Sequence, residues 1–391
     1  MDLDVLERSP AGILVPIKGH DARVGADYRH KAFVPAPLPE IPDLSAHTWS
    51  VVTDAALALG RLDQAGRQIP QPELIRRPSI RREAQSTSAL EGTHAAFTDL
   101  LESEVAPDEI PTPQVLEVRN YVRAAEHAFD WIVDRPITLG LIEDLQGILV
   151  LGTPAGLHTD AGKLRDRQVL IGPDNCSVED ARYVPPPPGP LLREGMDHWL
   201  RWVNDDSSLA PVVRAALAHY QFEAVHPFSD GNGRIGRLLI VVQLMQYGIL
   251  REPLLIVSPW FEAKRREYQD QLLRVSETGE FDPWVAFFAT GLRDQAISTA
   301  ARVEQLLDYQ QRTRQMLHEN RIGGIAMRIA EDLIGNPIIT IPWVEKTYEV
   351  SYQGAKKAID RLMSAGVIRE LDNRKYRRAF VSLEVLGLVE G

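Results

Sequence analysis

Apolar residues recur at three- and four-residue intervals through most of this chain. From about Ser45 to Gly66, "WSVVTDAALALGRL" follows that spacing behind two capping candidates, Asp43 and Ser45, which predicts a helix. The same rule predicts helices at about Ile80 to Leu101, Gln114 to Val133, Thr138 to Val150 and Pro190 to Asn204, with Pro107, Pro111 and Pro113 separating the first two. Helices then dominate to about Leu307. Two departures stand out. Residues 9 to 44, densest in proline at "FVPAPLPEIPDL", predict an extended arm lying on the body. "RQVLIG", "PDNCSVED" and "ARYVPPPP" predict two short strands joined by a polar turn, closed by Pro185 to Pro188.

Composition narrows the classes. With 391 residues and 44% hydrophobic content, the chain can bury a sizeable core and should hold two or three structural units. The longest apolar stretch near the centre, Leu238 to Met245, is interrupted by Gln243 and too short to span a bilayer, and Met1 to Pro10 resembles no signal peptide. The single cysteine, Cys176, can form no intramolecular disulfide and has no ligand spacing for structural zinc, so a soluble protein of a reducing, cytoplasmic compartment is expected. A net charge of −11 argues against a general nucleic-acid coat. That charge is uneven: residues 301–391 carry 14 Lys+Arg against 12 Asp+Glu, so the acidity lies upstream.

The densest chemistry is "HPFSDGNGRIGR", His226 to Arg237. "PVVRAALAHYQFEAV" before it opens with Pro211 and reads as a buried helix delivering His226 at its end, where Pro227 stops it. "RIGRLLIVVQLMQYGIL" reads as the next helix, so the glycines form a loop that opens a helix, where free N–H groups and the dipole favour an anion. Gly231 and Gly233 allow close backbone approach, and Asn232 adds a side-chain donor. Arg234 and Arg237, three apart, suit phosphate oxygens. Asp230 is out of place beside an anion unless it brings a cation, as one carboxylate plus phosphates commonly holds Mg²⁺. His226 can take a proton near neutral pH. Together these groups predict nucleotidyl or phosphoryl transfer.

This stretch resembles the Fic-family motif HPFx(D/E)GNGRxxR at every defined position, and weaker likeness extends over about residues 30 to 300. The resemblance implies a mainly α fold: a Fic-type helical bundle with a small β-hairpin flap and an N-terminal helical extension. It further implies transfer of AMP from ATP to a Ser, Thr or Tyr hydroxyl of a target protein, and of the protein itself. Carried over, His226 deprotonates the hydroxyl and Asp230 holds Mg²⁺. Gly231, Asn232 and Gly233 surround the α-phosphate, Arg234 and Arg237 bind the outer phosphates, and Phe228 anchors the loop. The segment 163–184 resembles the flap that pairs with the target's main chain, and Tyr268 the aromatic position lining the adenine pocket. "TSALEG", Thr87 to Gly92, resembles the family's inhibitory motif (S/T)xxxE(G/N), with Glu91 competing for Arg237 as a bidentate partner.

After Asn320 the pattern becomes helix, strand, helix, turn, helix, and "VSYQGAKKAIDRLMSAGVI" with "RKYRRAFV" resembles a winged helix-turn-helix capped by Ser351. Its candidate phosphate contacts are Lys356, Lys357, Arg361, Arg374, Lys375, Arg377 and Arg378, within 351–378. Such modules also serve protein contacts and dimerisation, so a homodimer is compatible. The expected division is 1–110 for the arm and inhibitory helices, 111–300 for the catalytic unit and 301–391 for the winged helix. Three alternatives stay open: transfer of another phosphate-containing group, removal of AMP with Glu91 positioning water, and an ATP-sensing DNA-binding regulator.

Overall fold

A computed structural model describes residues 1–391 apart from 22–24, 68, 70, 106–109, 174–175, 372–377 and 391. The chain starts with a single turn, α1 (Leu3–Leu6), and then two antiparallel strands, β1 (Gly12–Asp21) and β2 (Ala26–Pro35), in register from Gly12↔Pro35 to Asp21↔Ala26. The expected proline-rich arm is therefore a paired hairpin over much of its length. Its proline at position 16 is tolerated because a two-stranded ribbon leaves one edge of each strand without a partner to serve. Fully buried Phe33 tethers β2 to the body, and its N–H donates to the Val184 carbonyl at 2.9 Å.

The helices follow as α2 (Ala46–Arg67), α3 (Pro72–Leu90), α4 (Phe97–Val105), α5 (Pro113–Trp131), α6 (Leu139–Val150), α7 (Pro190–Asn204), α8 (Pro211–Val225), α9 (Asn232–Gln246), α10 (Ser258–Ala263), α11 (Arg265–Thr278) and α12 (Asp282–Glu319). Local chemistry sets most starts. Ser45 Oγ accepts from the Thr48 N–H at the head of α2, Thr112 and Thr138 cap α5 and α6, and proline occupies the first turn of α3, α5, α7 and α8. The helix expected over 80–101 is two helices: α3 begins eight residues earlier and stops at Leu90, because Gly92 takes φ +90° and turns the chain. Among the described residues of 163–184, the expected hairpin reduces to one antiparallel pair, Ile171↔Tyr183. The 38-residue α12 packs along α2 and runs straight through position 300, where a unit boundary was expected.

At the centre, α8 is buried at every position after Pro211 except Glu223, and α9 is buried from Arg234 to Leu244, as expected of helices enclosed on all sides. The C-terminal elements are α13 (Ile325–Asp332), β3 (Ile338–Thr340), α14 (Ile341–Tyr348), α15 (Tyr352–Ser364), β4 (Arg369–Glu370), β5 (Ala379–Val381) and α16 (Leu383–Glu390), with sheet order β3-β5-β4, antiparallel throughout. Ser351 caps α15 as expected, accepting from the Gly354 N–H at 3.3 Å. Arg374, Lys375 and Arg377 lie outside the described residues. Among the described residues no helix is long and apolar enough to cross a membrane.

His219 of α8 lies within this core, 1% exposed, with its ring centroid about 6 Å from those of Phe261, Tyr268 and Trp284. Nδ1–H donates to the Gly236 carbonyl at 3.2 Å, so Nε2 accepts from the Tyr268 hydroxyl at 2.7 Å. Burial, then the nearby Arg237 charge, pushes its pKa down to about 3. The folded value lies below the unfolded one, so this contribution to stability is full above about pH 6.5 and is lost progressively as pH falls. Urea unfolding between pH 7 and 5 should show stability falling with acidification, and His219→Gln should remove up to about 1.4 kcal/mol per pH unit of that slope. An unchanged slope in the variant would rule out a neutral buried imidazole.

Candidate active site

The site is assembled where α8 ends and α9 begins. His226 closes α8 in the left-handed region, φ 51° and ψ 64°, a conformation unusual for a side chain with a Cβ. A buried arginine that carries no motif signature, Arg165, holds it there: Nε donates to the His226 carbonyl at 2.8 Å and the Arg165 N–H to the Pro227 carbonyl at 3.0 Å. His226 Nδ1–H donates to the Glu223 carbonyl at 3.3 Å, an assignment that leaves Nε2 free to take a proton. Burial, and then the Arg165 charge, pushes its pKa down to about 4, so the imidazole is neutral at physiological pH.

Phe228 is fully buried and fixes the loop in the core, as expected. Asn232 does something the sequence did not suggest. Its Oδ1 accepts from the Phe228 N–H and its Nδ2 donates to the Phe228 carbonyl, both at 2.8 Å, so the amide clamps the loop and uses one of its two N–H donors in doing so. Gly231, at φ +85°, is required twice over, since a Cβ there would also stand 2.7 Å from Leu149 Cδ2. The cradle that remains is backbone: the N–H groups of the first turn of α9, which have no intrahelical acceptors.

The two arginines have different partners. Arg237 is 2% exposed; Nε donates to Thr87 Oγ1 at 2.8 Å, and Nη2 donates to the Thr87 carbonyl at 3.2 Å and to Glu91 Oε1 at 2.6 Å. The expected bidentate carboxylate pair is therefore corrected to a single-oxygen contact, because Thr87 one turn earlier on α3 fills the rest of the guanidinium edge. A Cβ on Gly233 would stand 2.3 Å from Glu91 Oε1, so the carboxylate rests directly against the glycine loop. Burial raises the Glu91 pKa, but the charge and hydrogen bond of Arg237, with Arg234 behind, outweigh it and hold the carboxyl below its usual range. Arg234 pairs instead with Glu117 Oε2 at 3.1 Å and Asp230 Oδ1 at 2.7 Å.

His226, Gly233, Arg237, Tyr268 and Glu91 line one cavity of about 480 Å³, whereas Asp230 and Arg234 stand outside its lining. Tyr268 contributes its ring, and its hydroxyl donates to His219 while facing the Arg237 guanidinium. Asp230 has a half-exposed side chain and no group of three or more His, Cys, Asp or Glu among the described residues could hold a metal alone. Sequence reasoning missed Glu83, which accepts from the Val257 and Ser258 N–H groups at 2.8 and 2.9 Å and from Ser258 Oγ, locking α3 against α10. It also missed Glu223, the one charged residue in the second half of α8, whose signal was a carboxyl inside an apolar run.

A mainly helical protein with a helix-opening anion cradle, a neutral histidine and an arginine held by a distant glutamate is the class that fold and site define. The Fic/DOC family N-terminal profile matches residues 49–130 and the Fic/DOC family profile residues 136–244. The chain therefore carries a Fic/DOC N-terminal module followed by a Fic/DOC module. Similar proteins include protein adenylyltransferase Fic of Drosophila virilis, 38% identical over 150 residues, which are 37% of this chain and 27% of that one. That of Aedes aegypti is 37% identical over 200 residues, 50% of this chain and 36% of that one. The matched regions thus span about a quarter to a third of these relatives. The crystal structure of a Fic family protein from Desulfovibrio desulfuricans superposes with a TM-score of 0.57 at 20% identity, over 88% of this chain and 98% of that one, which establishes the shared fold.

Removing the Asn232 clamp would leave the buried N–H and carbonyl of Phe228 without partners. Asn232→Ala should lower unfolding free energy by about 2–4 kcal/mol. A loss under about 1 kcal/mol in denaturant titration would show that the loop is held by other means.

Proposed function

We propose that this protein transfers AMP from ATP to a hydroxyl side chain of a target protein and of itself, and that the state described here is held inactive. The contact of Glu91 with Arg237, made against Gly233 in the cavity that also presents His226, carries this reading. In the transfer, His226 Nε2 takes the proton of the attacking hydroxyl as its oxygen bonds to the α-phosphorus. The bond from that phosphorus to the bridging oxygen breaks, and pyrophosphate leaves. Backbone N–H groups opening α9 receive the developing charge. Arg237 holds outer phosphate once Glu91 is displaced, and Arg234 serves from the other side of the turn. Asp230 with phosphate oxygens fits Mg²⁺, which would neutralise phosphate charge. Glu91 in its present place occupies an anion's seat.

The segment 163–184, already pairing Ile171 with Tyr183, supplies the edge on which a target strand is held. The C-terminal elements follow a winged-helix order, and we assign them a regulatory contact: Arg81 of the inhibitory helix α3 donates to the Gly335 carbonyl at 2.6 Å. Lys356 is paired with Asp360 and Arg378 with Glu370, which leaves Lys357 and Arg361 as the exposed cations on α15 for a DNA phosphate. Transfer in the cytoplasm fits the single cysteine.

Incubation with α-labelled ATP and Mg²⁺ should mark the wild-type chain weakly, and Glu91→Gly should increase labelling about 10- to 100-fold, the worth of one charge-assisted bond. In that background His226→Ala should lower the rate by about 10²–10⁴. Equal labelling with and without His226 would overturn the assignment of the base, and an intact-mass increase other than that of AMP would overturn the assignment of the donor.

A further inference from the structure

One carboxyl at the cavity has no role in the transfer as written. Glu223 lies three residues before His226 and lines the same cavity, and its Oε1 is completely buried without a hydrogen-bond partner among the described residues. The space it occupies is made by a glycine. A Cβ on Gly236 would stand 2.3 Å from that oxygen, and Gly236 lies one turn along α9 from Gly233. Gly236 is not among the positive-φ glycines, so its small size, and not its backbone conformation, is what the carboxyl requires. Burial raises the Glu223 pKa to about 7 against the opposing pull of Arg237, with Glu91 adding to the rise, so the group is neither fully ionised nor fully protonated near neutral pH.

An unpartnered carboxyl oxygen calls for a donor, and the phosphates of a nucleotide offer only acceptors. Glu223 is one helical turn before the base on α8, and its Oε1 meets α9 at Gly236, one turn past Gly233 of the phosphate cradle. The donor-bearing part of a nucleotide next to the α-phosphate is the ribose, and an acidic side chain accepting from ribose hydroxyls is an established way of reading a nucleotide. We propose that Glu223 is a specificity-determining residue that accepts hydrogen bonds from the ribose hydroxyls of the donor nucleotide, in a niche that Gly236 opens. This rests on the nucleotide reading above.

The test compares ATP with 2′-deoxy-ATP, 3′-deoxy-ATP and inosine triphosphate in the Glu91→Gly protein, with Glu223 intact or replaced by Gln or Ala. Each result is a ratio of kcat/KM values between two nucleotides in one preparation, which does not depend on the fraction that folds. With Glu223 intact, at least one deoxy analogue should be disfavoured by about tenfold or more. Glu223→Ala should bring that ratio to about 1, and Glu223→Gln, which keeps one acceptor oxygen, should retain part of it. A ratio unchanged in Glu223→Ala would overturn the assignment, as would a preference lost only between ATP and inosine triphosphate, which would place the carboxyl on the base. Absence of labelling from every nucleotide in the Glu91→Gly parent would instead overturn the nucleotide reading, and this assignment with it.

Discussion

A guanidinium buried as deeply as Arg237 must have acceptors on every edge it shows, and the rest of the site is organised by who supplies them. In this state Nε and Nη2 find them on α3 and its C-cap: the Thr87 hydroxyl, the Thr87 carbonyl and the Glu91 carboxylate. Glu83, one turn before Thr87, fixes α3 against residues 257 and 258, so the helix that presents Thr87 and Glu91 is anchored on the same chain segment. Leaving Arg237 without an anion would be strongly destabilising, because a buried unpaired charge is poorly tolerated in a core. Under the function proposed above, exchange of Glu91 for a phosphate would keep that charge compensated, and the same arginine would serve as lock and as substrate contact.

The same burial settles the protonation states. Arg165 and desolvation keep His226 neutral, Arg237 keeps Glu91 ionised, and Glu223, which faces Arg237 and Glu91 together, is left between. An imidazole and two carboxyls thus share one field with distinct charges, set by burial and by distance to two arginines and not by residue type alone.

Much of the fold was legible because local signals agreed with global packing. α7 and α8 begin where proline at the first turn and apolar spacing place them, and Ser45 and Ser351 cap as their positions suggested. Other elements were not legible for physical reasons. The β1–β2 hairpin was masked by its proline, which reads as a breaker unless one knows that the strand has an open edge. The single helix read over 80–101 ignored Gly92, whose left-handed turn is what frees Glu91 to leave the helix axis and meet α9. The length of α12 depends on its packing along α2, a contact between segments more than 200 residues apart.

The sequence by itself determined the chemistry of the twelve residues from His226 to Arg237, because that chemistry lies in residue type and spacing within one turn and one helix opening, and local chain geometry allows few alternatives. Only the tertiary structure decided which of those groups are available. Asn232 is spent on Phe228, Arg234 on Glu117 and Asp230, and Arg237 on a helix 146 residues away in sequence, because burial forces each polar group to find a partner wherever the packed chain brings one. Glu223 reached the cavity with its Oε1 unpartnered among the described residues, and neither spacing nor composition could have shown that.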